Sequence, residues 1–372
     1  MRDKHISLGK IIGIPVNLDY SWFLILALLT WMLAANYFPH EFKNWSVLSY
    51  WLAGLITSLL FFLSILLHEL GHSVIAKIYK VKVKRITLFI FGGVAEITSE
   101  PPKSISEFWI AIAGPVTSFL LAGLFYLLAQ AASGIDYLSA PLQYLAFINF
   151  LLAAFNLIPG FPLDGGRVLR SIVWGVTKNL KKATTIAANV GRFFGFFFIM
   201  LGVFQIFQNN FIDGVWIAFI GWFLESAAVS QIQRQALDEL LFGHKVYEAM
   251  ATNFSIVHTD STIQEIIDNH FIAANRRNLF VKENDVIAGI MTPKQISSVA
   301  ANERENITVK DVMISLKDTS SIDSESPLLD AIKSIEQNEL NAIPVTEKGE
   351  YVGILDNDSI TKFILSLHNL GH

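Results

Sequence analysis

Six long apolar runs occupy the first two thirds of the chain, at residues 21–38, 48–67, 108–132, 141–158, 193–208 and 212–230. A helix needs about 20 mostly apolar residues to cross a bilayer, so each run predicts a transmembrane helix. Between the second and third runs the period changes. Val81 to Ile97 alternates polar and apolar residues, passes through Gly92-Gly93 and resumes a β-prone pattern, which predicts a hairpin. Backbone groups left unpaired against lipid cost several kcal/mol, so this hairpin must lie on protein or line a watery cavity. Beyond Ser230 a repeat with an offset near 64 sets in. Val246–Met250 recurs at Val309–Met313, Asp260-Ser261 at Asp323-Ser324, and Val286–Met291 at Tyr351–Leu355. Each copy reads as a short helix, a strand, a longer helix (262–270; 327–338) and two strands (278–281 and 286–291; 342–346 and 351–355).

Charge sharpens this division. Residues 1–230 hold 16 basic and 11 acidic side chains, whereas residues 231–372 hold 12 basic and 21 acidic ones. A membrane body at +5 therefore precedes an acidic tail at −9, a balance that argues against nucleic acid as the tail's partner. The expected organisation is a membrane domain (1–230), a linker (231–243), and two repeats (244–300 and 301–372). Lys and Arg fall unevenly along the body. Arg2, Lys4 and Lys10, six between residues 77 and 103, and six between 167 and 192 share one side of the bilayer, against Lys43 alone on the other. The positive-inside rule then places the N-terminus and the tail in the cytoplasm of a multi-pass protein of the cell membrane. The first run exceeds a signal-peptide core and is expected to remain as an anchor. The chain contains no cysteine, which excludes disulfides, thiol nucleophiles and thiolate ligands and leaves His, Asp and Glu as the strong metal ligands.

The inner end of the second run reads SILLHELGHSVIAKIYK. His68 and His72 lie four apart and so share one helix face, where both imidazoles reach one metal, with Glu69 beside them. An ionisable trio at the end of an apolar span costs a few kcal/mol unless paired or metal-bound, which weakens the alternative of a solvated surface cluster. Catalytic zinc takes three protein ligands and keeps a position for water. The inner end of the fourth run, FNLIPGFPLDGGRVLR, offers Asp164 at comparable depth. Two roles suit Asp164: the missing ligand, or the N-cap of the following helix.

These two segments resemble the motifs of the site-2 protease family of intramembrane metalloproteases, in particular its prokaryotic members with a C-terminal CBS pair. The first motif matches His68-Glu69-Leu70-Gly71-His72. The second, Asn-x-x-Pro-x-x-Pro-Leu-Asp-Gly-Gly, matches Asn156, Pro159, Pro162, Leu163, Asp164, Gly165 and Gly166. Gly92-Gly93 and Ala113-Gly114-Pro115 are also similar to family features. The resemblance implies an all-α membrane core of about six transmembrane helices with a small β hairpin or sheet, followed by an α+β tandem CBS domain pair. It further implies one catalytic zinc held by His68, His72 and Asp164, Glu69 as general base, and Asn156 positioning the substrate. The substrates would be transmembrane proteins, cut in or near their membrane segments in regulated intramembrane proteolysis. A helical substrate must be extended before attack, and the Phe89–Glu96 edge is available for strand addition, or else plugs the cavity mouth. A CBS-regulated channel or transporter lined by intramembrane His and Asp competes with this reading, as does an inactive scaffold of the protease fold.

The tail departs from its family pattern. CBS pairs commonly bind adenine nucleotides through Gly-x-x-Thr/Ser-x-x-Asp. The first copy, Gly289 to Gln295, keeps the hydroxyl at Thr292 but has Gln in place of the ribose-binding carboxylate. The second copy, Gly353 to Ser359, sets Asp356 where phosphate would approach, which repels an anion. At most one nucleotide site, at Thr292, is expected. The second copy would then pack the pair and support a homodimer, and the other reading has neither copy binding nucleotide and the tail docking as a gate.

Overall fold

The computed structural model describes residues 5–90, 92–97, 100–252, 254–272, 279–284, 286–291, 293–316, 321–337 and 342–370. Two compact units divide the chain, Met1–Gln233 and Arg234–His372.

The first unit opens with a feature the apolar pattern did not reveal. Strands β1 (His5–Ile11) and β2 (Ile14–Asp19) form a hairpin ahead of the first long helix. The expected hairpin also forms, as β3 (Val83–Phe89) and β4 (Gly92–Ile97), and the four strands join into one sheet of order β1-β2-β3-β4. β2 and β3 run parallel, with Val16 opposite Ile86. Ile14, Val16 and Leu18 alternate inward along β2 with Ile86 and Leu88 from β3, and this face packs on Phe62, Ile65, Leu66 and Leu70. The sheet therefore lies on the helix stretch that carries the histidine motif.

Among the described residues six helices are long and apolar enough to cross a membrane. The first comprises α1 (Ser21–Met32), a π-helical turn (Leu33–Tyr37) and α2 (Phe38–Glu41). The others are α3 (Val47–Ile78), α4 (Ser104–Ala131), α5 (Asp136–Asn156), α7 (Leu180–Phe207) and α8 (Phe211–Leu241). All six coincide with the apolar runs, and their outward Leu59, Leu120, Phe147, Phe196 and Trp216 are exposed as lipid-facing side chains would be. α3 is capped by Ser46, which accepts from the Ser49 N–H, and its 32 residues span about 48 Å. His72 sits six residues, about 9 Å, before its end. Between α5 and α7 lies α6 (Asp164–Thr177), too short and too polar to span. The loop before it is anchored by Phe161, whose N–H donates to the Ala187 carbonyl of α7 at 3.2 Å and whose ring packs on Ala187 and Ala188. Residues 231–241, which composition assigns to a linker, continue α8.

The second unit realises the repeat. Its first copy contains α9 (Val246–Ala249), β5 (Ser255–His258), α10 (Ile263–Ile266) continued by a π turn, β6 (Leu279–Glu283), β7 (Val286–Met291) and α11 (Pro293–Ser297). Its second contains α12 (Val309–Val312), β8 (Ile314–Ser315), β9 (Ile322–Asp323), α13 (Leu328–Gln337), β10 (Ala342–Glu347), β11 (Glu350–Asp356) and α14 (Asn357–Leu370). Each copy pairs a parallel strand with an antiparallel hairpin, and each hairpin carries a bulge at the same place, after Val281 and after Val345. The copies exchange edges. β8 adds to the first sheet, while Ala251 exchanges two backbone hydrogen bonds with Ile354 of the second. Val309 is buried in the first core, Val246 and Ala249 in the second, and Phe280, Ile290, Ala342 and Ile354 close a shared cluster. Neither copy buries its apolar face alone.

Candidate metal centre

Helical spacing stacks His68 and His72 one turn apart on α3, and the break at Pro159 and Pro162 turns the chain so that α6 starts beside them. Asp164 is the first residue of α6. The three donor atoms form a near-equilateral triangle: His68 Nε2 to Asp164 Oδ2 is 3.1 Å, His72 Nε2 to Oδ2 is 3.2 Å, and the two Nε2 atoms are 3.2 Å apart. A tetrahedral zinc ion with bonds of 2.0–2.1 Å separates its ligands by about 3.3–3.4 Å. Both histidines are 4% exposed and the Asp164 side chain 15%. The alternative role of Asp164 is not adopted: Leu163 holds the N-cap position, without a side-chain cap, and the carboxylate faces the imidazoles.

α4 sets the rings. His72 Nδ1 donates to the Ile110 carbonyl at 2.7 Å, so the neutral ring keeps its lone pair on Nε2. His68 Nδ1 lies 2.9 Å from Ser118 Oγ. With a lone pair on His72 Nε2 and a carboxylate 3.2 Å away, two acceptors face each other, an arrangement that repels unless a cation or proton lies between them. Gly114, between Ile110 and Ser118 on the same α4 face, leaves that space open. A Cβ there would fall 2.1 Å from His72 Nε2 and 2.6 Å from His68 Nε2.

Glu69 turns to the sheet. Its Oε2 accepts from the Ala95 N–H of β4 at 3.2 Å. β4 approaches closely enough that a Cβ on Gly93 would lie 2.7 Å from Glu69 Cγ. Because the Ala95 N–H points at Glu69, the backbone groups of Gly93, Ala95 and Ile97 face away from β3, and those of Val94 and Glu96 face it. Within this hairpin the open edge is therefore β4 and not Phe89, which pairs with Gly92 inside the ladder; β1 forms the other edge of the sheet.

Asn156 ends α5, half-buried, and among the described residues no hydrogen bond engages its amide. Thr292 lies outside the described residues. Asp356 Oδ1 accepts from the Ser359 N–H at 2.7 Å and Ser359 Oγ accepts from the Asp356 N–H at 3.0 Å, so both side chains cap α14. The Ile110 carbonyl and Ser118 escaped sequence reasoning. A backbone acceptor has no sequence signature, and serine is common in membrane helices.

The sequence model of peptidase family M50 matches residues 56–139 and 129–202, and that of the CBS domain residues 309–366. Two relatives named as zinc metalloproteases align along almost the whole chain. The protein sll0528 of Synechocystis is 35% identical over 97% of this chain and 95% of its own length. Rip3 of Mycobacterium tuberculosis is 32% identical over 98% and 93%. Among solved structures, the site-2 protease from Methanocaldococcus jannaschii is 32% identical, covering 61% of this chain and 95% of its own at a TM-score of 0.44. With relatives of this identity matched over nearly their full length, the chain belongs to peptidase family M50, the membrane zinc metalloproteases of the site-2 protease type, and carries a C-terminal CBS domain.

Proposed function

We propose that this chain hydrolyses peptide bonds of membrane proteins within or beside their transmembrane segments, with one zinc ion held by His68, His72 and Asp164. The observation that carries this reading is the buried triangle of two imidazole nitrogens and a carboxylate oxygen, 3.1–3.2 Å on a side, at the end of an apolar helix. Zinc bound there supplies Lewis acidity, bringing the pKa of a bound water to about 7. Glu69 takes the proton of the attacking water and returns it to the leaving amine. The Ala95 N–H holds Oε2, and among the described residues nothing engages Oε1, which stays free for the proton. Ile110 and Ser118 keep the rings aligned, and the Asn156 amide is free to hold a substrate carbonyl.

Exposure of a scissile carbonyl requires an extended segment, since a helix hides it in i to i−4 bonds. The open edge of β4 offers the backbone groups of Gly93 and Ile97 and the carbonyl of Ala95 as strand partners beside Glu69, the Ala95 N–H being given to Oε2. Val94, 47% exposed, has its N–H in the β3 ladder, so a proline there would break the hairpin and not the docking edge. The native chain lacks cysteine, so Val94→Cys in a Glu69→Gln background provides a single thiol. With a single-span test substrate carrying cysteines at successive positions, disulfide trapping is expected at every second residue. Trapping without that period of two, or none, would count against strand addition as the mode of substrate binding.

The Lys and Arg distribution supports a cytoplasmic N-terminus and tail. The CBS pair then acts as a cytoplasmic regulatory module and a homodimer contact. An adenine nucleotide would bind at the Thr292 copy only, because Asp356 and Ser359 are consumed in capping α14.

A further inference from the structure

Two buried charges in the membrane unit stand outside both motifs. Glu107, on α4, has no exposed surface, and Arg170, on α6, is 7% exposed. Arg170 Nε donates to Glu107 Oε1 at 2.6 Å, and Nη2 engages the same oxygen. Glu107 Oε2 is buried with no hydrogen-bond partner among the described residues. Arg170 Nη1 also lies 3.7 Å from the exposed Glu100, and its guanidinium sits 5.4 Å from the centre of the Phe161 ring.

The placement of these contacts matters more than their number. Glu107 shares its α4 face with Ile110, Gly114 and Ser118, at successive spacings of three, four and four. That face sets both imidazoles. Arg170 belongs to the helix that begins at Asp164, and the ring it covers, Phe161, lies three residues before Asp164. The clamp thus joins the helix that orients the histidines to the helix and loop that present the carboxylate.

We propose that Glu107 and Arg170 are positioning residues whose ion pair fixes the N-terminus of α6 on α4 and thereby places Asp164 Oδ2 at the two imidazoles. This rests on the reading of His68, His72 and Asp164 as zinc ligands. A buried ion pair contributes little net stability compared with apolar residues of similar volume, but it is demanding in geometry. Arg170 meets one carboxylate oxygen with two N–H groups while its guanidinium carbon lies over the Phe161 ring, a combination that lysine cannot reproduce.

Removing one partner leaves an uncompensated buried charge that threatens folding, so the informative variants are Glu107→Leu combined with Arg170→Met, and Arg170→Lys alone. Full-length protein in lipid nanodiscs would be titrated with zinc against a chromophoric chelator, and the thermal unfolding of the metal-free form followed in parallel. The double variant is expected to unfold near the wild-type temperature and to bind zinc about 10- to 100-fold more weakly, the range typical of lost outer-shell support. Arg170→Lys should weaken zinc in the same direction. If the double variant folds but binds zinc within about twofold of wild type, the pair only holds the helices together and the inference fails. If the double variant does not fold, unchanged affinity in Arg170→Lys overturns it equally. Wild-type protein that takes up no zinc would instead remove the ligand assignment on which it stands.

Discussion

Gly114→Ala is expected to abolish zinc binding while leaving the fold in place. The new methyl carbon would lie 2.1 Å from His72 Nε2, 2.5 Å from its Cε1 and 2.6 Å from His68 Nε2. To relieve this overlap the rings must leave their positions and give up their Nδ1 contacts with the Ile110 carbonyl and Ser118. Position 114 is interior to α4, where alanine is favoured over glycine by about 1 kcal/mol, so the substitution does not cost helix formation. Zinc affinity should fall by more than about 100-fold, since the methyl displaces the donors themselves and not only their outer shell. Helical circular dichroism should match wild type, and proteolysis should vanish with the metal. A Gly114→Ala protein with full zinc and normal activity would mean that the imidazoles do not converge beside α4 as described.

Glu69→Gln should separate metal from catalysis. Glutamine keeps the oxygen that accepts from the Ala95 N–H, so β4 stays seated, and none of the three proposed ligands changes. What is lost is the proposed proton acceptor. General acid–base catalysis by one positioned group is worth about 10²- to 10⁴-fold, and the cleavage rate should drop by that factor at unchanged zinc content. Cleavage within about tenfold of wild type would mean that another group carries the proton. Together the two variants divide the site: Gly114→Ala loses metal and activity, Glu69→Gln activity alone.

Those elements whose pattern is local could be read directly from the chain. The six spanning helices announce themselves by length and hydropathy, β3 and β4 by alternation around Gly92-Gly93, and the histidine pair by its spacing of four. The β1–β2 hairpin did not, because β2 turns only Ile14, Val16 and Leu18 inward and β1 is almost wholly exposed, too little apolar alternation to register before the first apolar run. The role of Asp164 stayed open for a different reason: a carboxylate at a helix start suits a cap as well as a ligand, and the choice depends on what α3 brings opposite it. The partnership of Glu107 with Arg170, 63 residues apart, is likewise tertiary. Glu107 falls just before the third apolar run and Arg170 between the fourth and fifth, where a charge is unremarkable, so neither position signalled its partner. The exchange of edges between the two CBS copies also escaped the repeat, because a repeat shows likeness of units and not which core each segment fills.

Cleavage followed against bound zinc in the wild-type protein addresses the central claim most directly. Purified chain in lipid would be stripped with a chelator and reloaded stepwise, with zinc per chain and the rate of cutting a single-span substrate measured on the same samples. The three proposed ligands and the proposed proton acceptor predict a rate that rises in proportion to occupancy and levels off at about one zinc per chain. Metal-free protein that cuts at the full rate would contradict the account.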